Sequence, residues 1–274
     1  MANITLTTDF GLEDEYVGVL KGVILSIHAR ATIIDITHQL PAHDVTRAAL
    51  LVEAVYPYFR PGTVHVVVVD PGVGSARKIL AVQVAEQYMI APDNGVLSRI
   101  FDTDAVDRVV SITNAQFFLP SVSATFHGRD IMAPVAAHIA KGLDIGSLGS
   151  EMDLDEVVRL PLPAIRKDAH GKLVGHIAAI DHFGNLISNI REDDLSHFCR
   201  VADKFEIQVH VGAHIIKGLA DSYAMLEKGR PLAIIGSRGY LEIAINCGRA
   251  AEFYDVAAGA EVSVSLQPRF GNTL

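Results

Sequence analysis

Hydrophobic spacing changes character partway along the chain. In the first half, short apolar runs alternate with stretches of helical period. Residues 3–8 read as a strand, and residues 16–28 place Val17, Leu20, Ile24 and Ile27 on one face of a helix. Residues 32–36 predict a second strand, and residues 45–59 a second amphipathic helix ended by Pro57, with Pro61 just beyond. The run 64–70 is almost continuously apolar and β-branched, the pattern of a strand covered on both faces. Residues 78–84 and 88–91 predict a hairpin, 108–112 a further strand, and 130–141 a third helix, where Pro134 is tolerable because it falls in the first turn or so. From 142 to 172 the pattern weakens: Gly146, Gly149, Pro161 and Pro163 interrupt it, and acidic residues cluster between Glu151 and Glu156. Beyond this connection the period becomes two. Residues 173–181, 205–211, 231–235, 240–246 and 261–266 read as strands, with Gly-rich turns and one short helical candidate at 219–226. The expected organisation is an N-terminal α/β domain with a mainly parallel sheet over residues 1–165, then a smaller β-sandwich or barrel over 171–274.

Composition narrows the classes. At 274 residues, half of them apolar and a fifth charged, the chain has material for a sizeable core in two domains. Its longest apolar runs are strand-sized and far short of a membrane span. Thr7, Thr8 and Asp9 follow so soon that no secretory leader is expected, and a cytoplasmic protein is expected. The only cysteines, Cys199 and Cys247, show no metal or redox spacing and read as reduced core thiols. A formal net charge of −9 argues against a nucleic-acid partner and is compatible with a small cationic substrate.

The chemistry-bearing residues gather where strands are predicted to end, the usual ligand edge of an open α/β sheet. Asp9, in Thr7-Thr8-Asp9-Phe10-Gly11, suits a vicinal diol such as a ribose, or a cap on the following helix. The valine run ends in Asp70-Pro71-Gly72-Val73-Gly74-Ser75-Ala76-Arg77. Its Gly-x-Gly leads into a strand rather than a helix and lacks a third glycine, and no Gly-Lys-Ser/Thr loop occurs, which argues against phosphate binding. Glycines there let the backbone approach a ligand. His127, in Phe126-His127-Gly128-Arg129-Asp130, is one of twelve histidines and reads as catalytic or structural; no ligand spacing supports a metal. In the second half, Asp181-His182-Phe183-Gly184-Asn185 and Gly236-Ser237-Arg238-Gly239-Tyr240-Leu241-Glu242 set charges beside glycines. Asp181 suits an ammonium and Arg238 a carboxylate, together a zwitterionic amino acid; the alternative is two unrelated surface turns.

Taken in order with Pro92-Asp93-Asn94-Gly95, these segments resemble the S-adenosylmethionine hydroxide adenosyltransferase family, the S-adenosylmethionine hydrolases, relatives of fluorinase and chlorinase. The resemblance covers almost the whole chain. It implies an N-terminal α/β domain, a C-terminal β-barrel-like domain and a homotrimer whose sites lie at subunit interfaces. It further implies water attack at the ribose C5′ of S-adenosylmethionine, which is substrate rather than cofactor; no cofactor, nucleic acid or membrane is implied. By the same resemblance Asp9 holds the ribose hydroxyls, and Asp181, Ser237 and Arg238 hold the methionine ammonium and carboxylate. Phe183 and Asn185 lie against the adenine end, backbone near Ile245 and Cys247 reads its edge, and Glu242 falls where some members contact substrate. The catalytic Asp, Arg and His of the hydrolytic members match Asp70, Arg77 and His127. Halogenating relatives carry an aromatic hydroxyl where Asp70 stands, and a carboxylate repels a halide while it can orient a water. Rival classes are a non-catalytic sensor of adenosine or S-adenosylmethionine, which has no need of the Asp-Arg-His set, and halide-dependent adenosyl transfer.

Overall fold

The computed structural model describes residues 3–103, 106–161, 163–199 and 204–267. The chain forms two compact units, Met1–Pro161 and Leu162–Leu274. The first is built on a seven-stranded sheet of β1 (Asn3–Thr8), β2 (Thr32–Thr37), β3 (Val64–Val68), β4 (Ile79–Val84), β5 (Gln87–Pro92), β6 (Val106–Ile112) and β7 (Gly149–Glu151). The spatial order is β2-β1-β3-β5-β4-β6-β7. The block β2-β1-β3-β5 is parallel, and β4, β6 and β7 continue it antiparallel.

Helices cover both faces of this sheet. On one, α1 (Tyr16–Ile27) and α4 (Ala133–Ala140) bring Leu20, Ile24, Val135 and Ile139 against Ile4, Leu6, Val64, Val66 and Val68. On the other, α2 (Val45–Val55) and α3 (Ser98–Thr103) bring Ala48, Val52 and Ile100 against Val67, Val69, Leu80 and Val82. Consecutive valines of β3 thus enter opposite cores, as the uninterrupted apolar run predicts. Each such burial contributes roughly 1.5–3 kcal/mol.

Local departures have local causes. α2 stops at Val55, and a 3₁₀ turn over Tyr56–Tyr58 accommodates Pro57. The predicted third helix is preceded by a π turn over Gly128–Met132, and Pro134 sits in the first turn of α4, where a missing N–H costs little. The β4–β5 hairpin turns on Ala85 and Glu86, both at positive φ (49° and 58°), the conformation a two-residue hairpin needs.

The second unit is a single curled sheet. Its strands are β8 (Arg166–Lys167), β9 (Leu173–Ile180), β10 (Leu186–Arg191), β11 (Ile207–Val211), β12 (His214–Lys217), β13 (Pro231–Ile235), β14 (Tyr240–Ile245) and β15 (Glu261–Leu266). They run in the order β12-β11-β15-β9-β10-β14-β13, with β8 on β9. Just past β12, Ala220 bridges to Ile234 of β13, so the two ends of the sheet meet and it is nearly closed as a barrel. Leu173, Ile177, Leu186, Val209, Leu241, Ile243 and Val264 fill the interior.

Two sequence expectations fail here. Residues 219–226 do not form a helix: Ala220 is taken up by its bridge, Tyr223, Met225 and Leu226 are exposed, and only a 3₁₀ turn over Tyr223–Met225 remains. Among the described residues the α-helices of this unit are α5 (Glu192–Cys199) and α6 (Ala250–Tyr254). Nor is Cys247 a core thiol, for it is exposed at positive φ (57°) just after β14; Cys199 is half-buried, with its thiol pushed up by burial. Among the described residues, no helix is long and apolar enough to cross a membrane.

Candidate active site

Polar residues collect at the carboxyl ends of β1 and β3, adjacent parallel strands of the first unit. Asp9 follows β1 directly. Its Oδ2 accepts a hydrogen bond from the His43 backbone N–H at 2.8 Å. It does not cap α1, which begins at Tyr16 with Glu15 as its N-terminal flank. The neighbouring turn is held by the Gly11 N–H donating to the His38 carbonyl at 2.7 Å and by Thr8 Oγ1 against His38 Nδ1 at 2.9 Å.

One residue past β3 ends the buried run, and Asp70 follows it. Its Oδ1 accepts from the Gly72 N–H at 3.0 Å and from Arg77 Nη1. The ion pair is partly exposed, with side-chain exposures of 11% for Asp70 and 27% for Arg77. Gly72 makes room for it: a Cβ there would lie 2.5 Å from Arg77 Cζ. Gly74, at φ +82°, lets the same loop press on the Ala124 carbonyl, three residues before His127. Gly128 in turn brings the start of the π turn against Val68, at 3.0 Å for a Cβ built there.

A cavity of about 220 Å³ opens between these segments, lined by Asp9, Phe10, His43, Asp70, Phe126 and His127 among others. Arg77 stands behind Asp70 as its partner rather than on the cavity wall. Among the described residues Asp70 bonds to Gly72 and Arg77 and not to His127, so the two groups face one space without touching. Two carboxylates, two imidazoles and two phenyl rings suit a polar, partly cationic ligand and one positioned water.

The second unit has a larger cavity, about 550 Å³. Every candidate from the second half of the sequence lines it: Asp181, Phe183, Asn185, Ser237, Arg238, Glu242, Ile245 and Cys247. The turn from β9 to β10 is locked by its own side chains. Asp181 Oδ1 accepts from the Asn185 N–H at 2.8 Å, Oδ2 accepts from Asn185 Nδ2 at 3.0 Å, and Gly184 takes φ +84°. This leaves the Phe183 ring 70% exposed on the cavity, a flat apolar face for a planar ring. Ser237 and Arg238 lie exposed in the β13–β14 turn, closed by Gly236 N–H to the Tyr240 carbonyl at 2.9 Å. The two segments are therefore not unrelated surface turns.

Glu242 of β14 is buried, 6% exposed, and its Oε2 accepts from Tyr223 Oη at 2.9 Å. Burial pushes its carboxyl above the ordinary glutamate value and nearby Asp181 adds to this, against the Tyr223 hydrogen bond and Arg238. The Tyr223 hydroxyl is itself pushed up to about 12, by burial first and then by Glu242. Tyr223 is a cavity residue that sequence reasoning missed. It sits in the stretch misread as a helix, and no local pattern announces its approach to Glu242. Asn246 and Arg249 also line the cavity.

These two sites sit in a chain whose residues 4–149 match the SAM hydroxide adenosyltransferase N-terminal domain and whose residues 175–263 match the corresponding C-terminal domain. The chain belongs to the S-adenosylmethionine hydroxide adenosyltransferase family. It is 35% identical over 266 residues to an (R)-S-adenosyl-L-methionine hydrolase of Salinispora tropica, covering 96% of this chain and 97% of that protein. It is 28% identical over 294 residues to a fluorinase of an Actinoplanes species, covering 96% and 97% of the two chains. A crystal structure of an uncharacterized conserved protein from Thermotoga maritima superposes with a TM-score of 0.87 at 36% identity, covering 96% of this chain and 99% of that one.

Proposed function

We propose that the protein is a hydrolase that converts S-adenosylmethionine and water to adenosine and methionine. The observation that carries this reading is the Asp70 carboxylate, fixed by Arg77 and turned into a cavity shared with Asp9 and His127. In this reaction the water oxygen forms a bond to the ribose C5′ while the C5′–S bond breaks, its electron pair going to sulfur. The sulfonium leaves as a neutral thioether, so no acid is required at the leaving group and no cofactor is called for. What the site must supply is a water held in line with the C5′–S bond and an acceptor for its proton. Asp70 orients the water, Arg77 fixes the carboxylate, and His127 or the Asp70–His127 pair takes the proton. Asp9 takes the ribose diol. In the second-unit cavity Asp181, with Glu242 behind it, takes the ammonium, Ser237 and Arg238 the carboxylate, and Phe183, Asn185, Ile245 and Cys247 the adenine.

The halide-dependent alternative is disfavoured by the same carboxylate, which repels a halide where it welcomes a water. We further infer a cytoplasmic homotrimer in which the first-unit cavity of one copy and the second-unit cavity of another hold one substrate. Incubation with S-adenosylmethionine in oxygen-18 water tests the chemistry. Label recovered in adenosine is the expected result; unlabelled adenosine, or no product at all, would overturn it.

A further inference from the structure

The segment Pro92-Asp93-Asn94-Gly95 has no part in either cavity lining, yet it touches both ends of the loop that carries Asp70 and Arg77. β3 enters this loop and β4 leaves it, but the two do not pair, because β5 lies between them in the sheet. Pairing with β5 runs only to Val66 on the β3 side and begins at Ile79, opposite Pro92, on the β4 side. The chain leaving β5 then crosses the gap. On one flank the Asp93 N–H donates to the Lys78 carbonyl at 2.9 Å, immediately after Arg77. On the other, Asn94 Nδ2 donates to the Val69 carbonyl at 2.8 Å, immediately before Asp70. Asn94 Oδ1 accepts from the Val96 N–H at 3.2 Å, which orients the amide. Asp93 is itself buried and anchored, its Oδ1 accepting from the Val158 N–H at 2.9 Å.

The Val69 carbonyl and the Asp70 nitrogen belong to one planar peptide unit. Fixing that carbonyl fixes the plane from which the Asp70 side chain departs, at the point where the strand ladder to β5 has ended. We propose that Asn94 is a positioning residue for Asp70: its amide takes the place of a strand partner at Val69 and sets the direction of the Asp70 carboxylate. This rests on the reading of Asp70 as the group that orients the attacking water. An aspartate at position 94 would keep an acceptor for Val96 but turn an oxygen toward the Val69 carbonyl, so Asn94→Asp loses this contact specifically. Asn94→Ser keeps a hydroxyl donor and serves as the conservative variant should Asn94→Asp fold poorly.

Misplacing a reacting group by about an ångström costs up to about a hundredfold in rate. Accordingly, Asn94→Asp should lower kcat for S-adenosylmethionine hydrolysis roughly ten- to a hundredfold while KM moves less than about threefold, and Asn94→Ser should lie between it and the parent. The decisive measurement is the cycle with Asp70→Ala. Once Asp70 is gone its orientation is irrelevant, so the double variant should be no slower than Asp70→Ala alone. Full additivity of the two losses, or a change confined to KM and thermal stability, would overturn the assignment. If Asp70→Ala itself hydrolyses at the parental rate, the water-orienting role fails instead, so the two failures are distinguishable.

Discussion

Gly72 and Gly74 lie two residues apart in the Asp70 loop, and the structure assigns them opposite kinds of intolerance. Gly72 does not occupy the left-handed region, so alanine fits its backbone; the new Cβ would instead meet the guanidinium of Arg77, 2.5 Å from Cζ. That is the free end of a flexible side chain, which swings aside and gives up its bond to Asp70. For stability the terms are small and opposed: Gly→Ala at a compatible site gains about 0.4–1 kcal/mol, and a partly exposed ion pair forfeits about 0–1. Gly72→Ala should therefore unfold within about 1 kcal/mol of the parent. Its chemistry should suffer far more, because a hydrogen bond to a charged group is worth about 1.5–3 kcal/mol, or roughly ten- to a hundredfold in kcat. Gly74 is the reverse case. At φ +82° a side chain costs about 1–2 kcal/mol before contacts are counted, and its Cβ would collide with the Ala124 carbonyl oxygen, part of the backbone. Gly74→Ala should lower Tm by about 4 °C or more. Adenosine release followed by chromatography, alongside thermal unfolding of both variants, gives the comparison. A Gly72→Ala enzyme with parental kcat and parental Tm would refute the claim that Arg77 must hold Asp70 for the reaction to proceed.

Arg238→Ala should raise KM for S-adenosylmethionine roughly ten- to a hundredfold and leave kcat at saturation nearly unchanged, as loss of a charge-assisted contact to the methionine carboxylate requires; the reverse split in steady-state kinetics would remove it from that role. Asp9→Asn should weaken adenosine as well as S-adenosylmethionine, since both carry the ribose diol, and unchanged adenosine affinity by calorimetry would reassign Asp9 to its bond with His43. Burial and Asp181 raise the Glu242 carboxyl above its ordinary value, so the folded state holds that proton more tightly than the unfolded one. Its contribution to stability is complete below the ordinary glutamate value and is lost as pH rises through the folded one. Glu242→Gln should therefore flatten the stability profile across that window, and denaturant midpoints that fall with pH as in the parent would contradict it.

Legibility of the sequence tracked how local each cause was. The β3 valines carry their two-sided burial in their composition alone, and α1 shows its buried face through Val17, Leu20 and Ile24. The second unit is less legible because its helices are short. α5 has eight residues and opens with Glu192, Asp193 and Asp194, so its apolar face is a single turn of Leu195, Phe198 and Cys199. Residues 219–226 offer an apolar period and do not use it, since Ala220 closes the barrel onto β13. The cavity residues follow the same division. Asp9, Asp70, Asp181 and Arg238 sit beside glycines at the ends of apolar runs, a pattern visible in one dimension. Tyr223 reaches its cavity only through tertiary approach to Glu242, nineteen positions away, and Asn94 acts on Val69 across twenty-five.

The distribution of chemistry between the two units sets the last test. The groups proposed for the ribose and the attacking water, Asp9, Asp70 and His127, all line the first-unit cavity; those proposed for the amino acid and the adenine line the second-unit cavity. Neither cavity by itself offers both a water-orienting carboxylate and a clamp for the methionine carboxylate. If the two halves that serve one substrate come from different copies in a cyclic trimer, then Asp70→Ala and Arg238→Ala damage different partners of each site. Assayed at S-adenosylmethionine well below the parental KM, where the loss of Arg238 lowers the rate, each variant alone is impaired at every site. After dissociation, mixing in equal amounts and reassembly, about one interface in four joins an intact first unit to an intact second unit, and activity should recover to about a quarter of the parental value. Native mass spectrometry establishes that mixed trimers have formed, and adenosine production reads the recovery. Confirmed mixed trimers with no gain over the separate variants would place each site within a single chain.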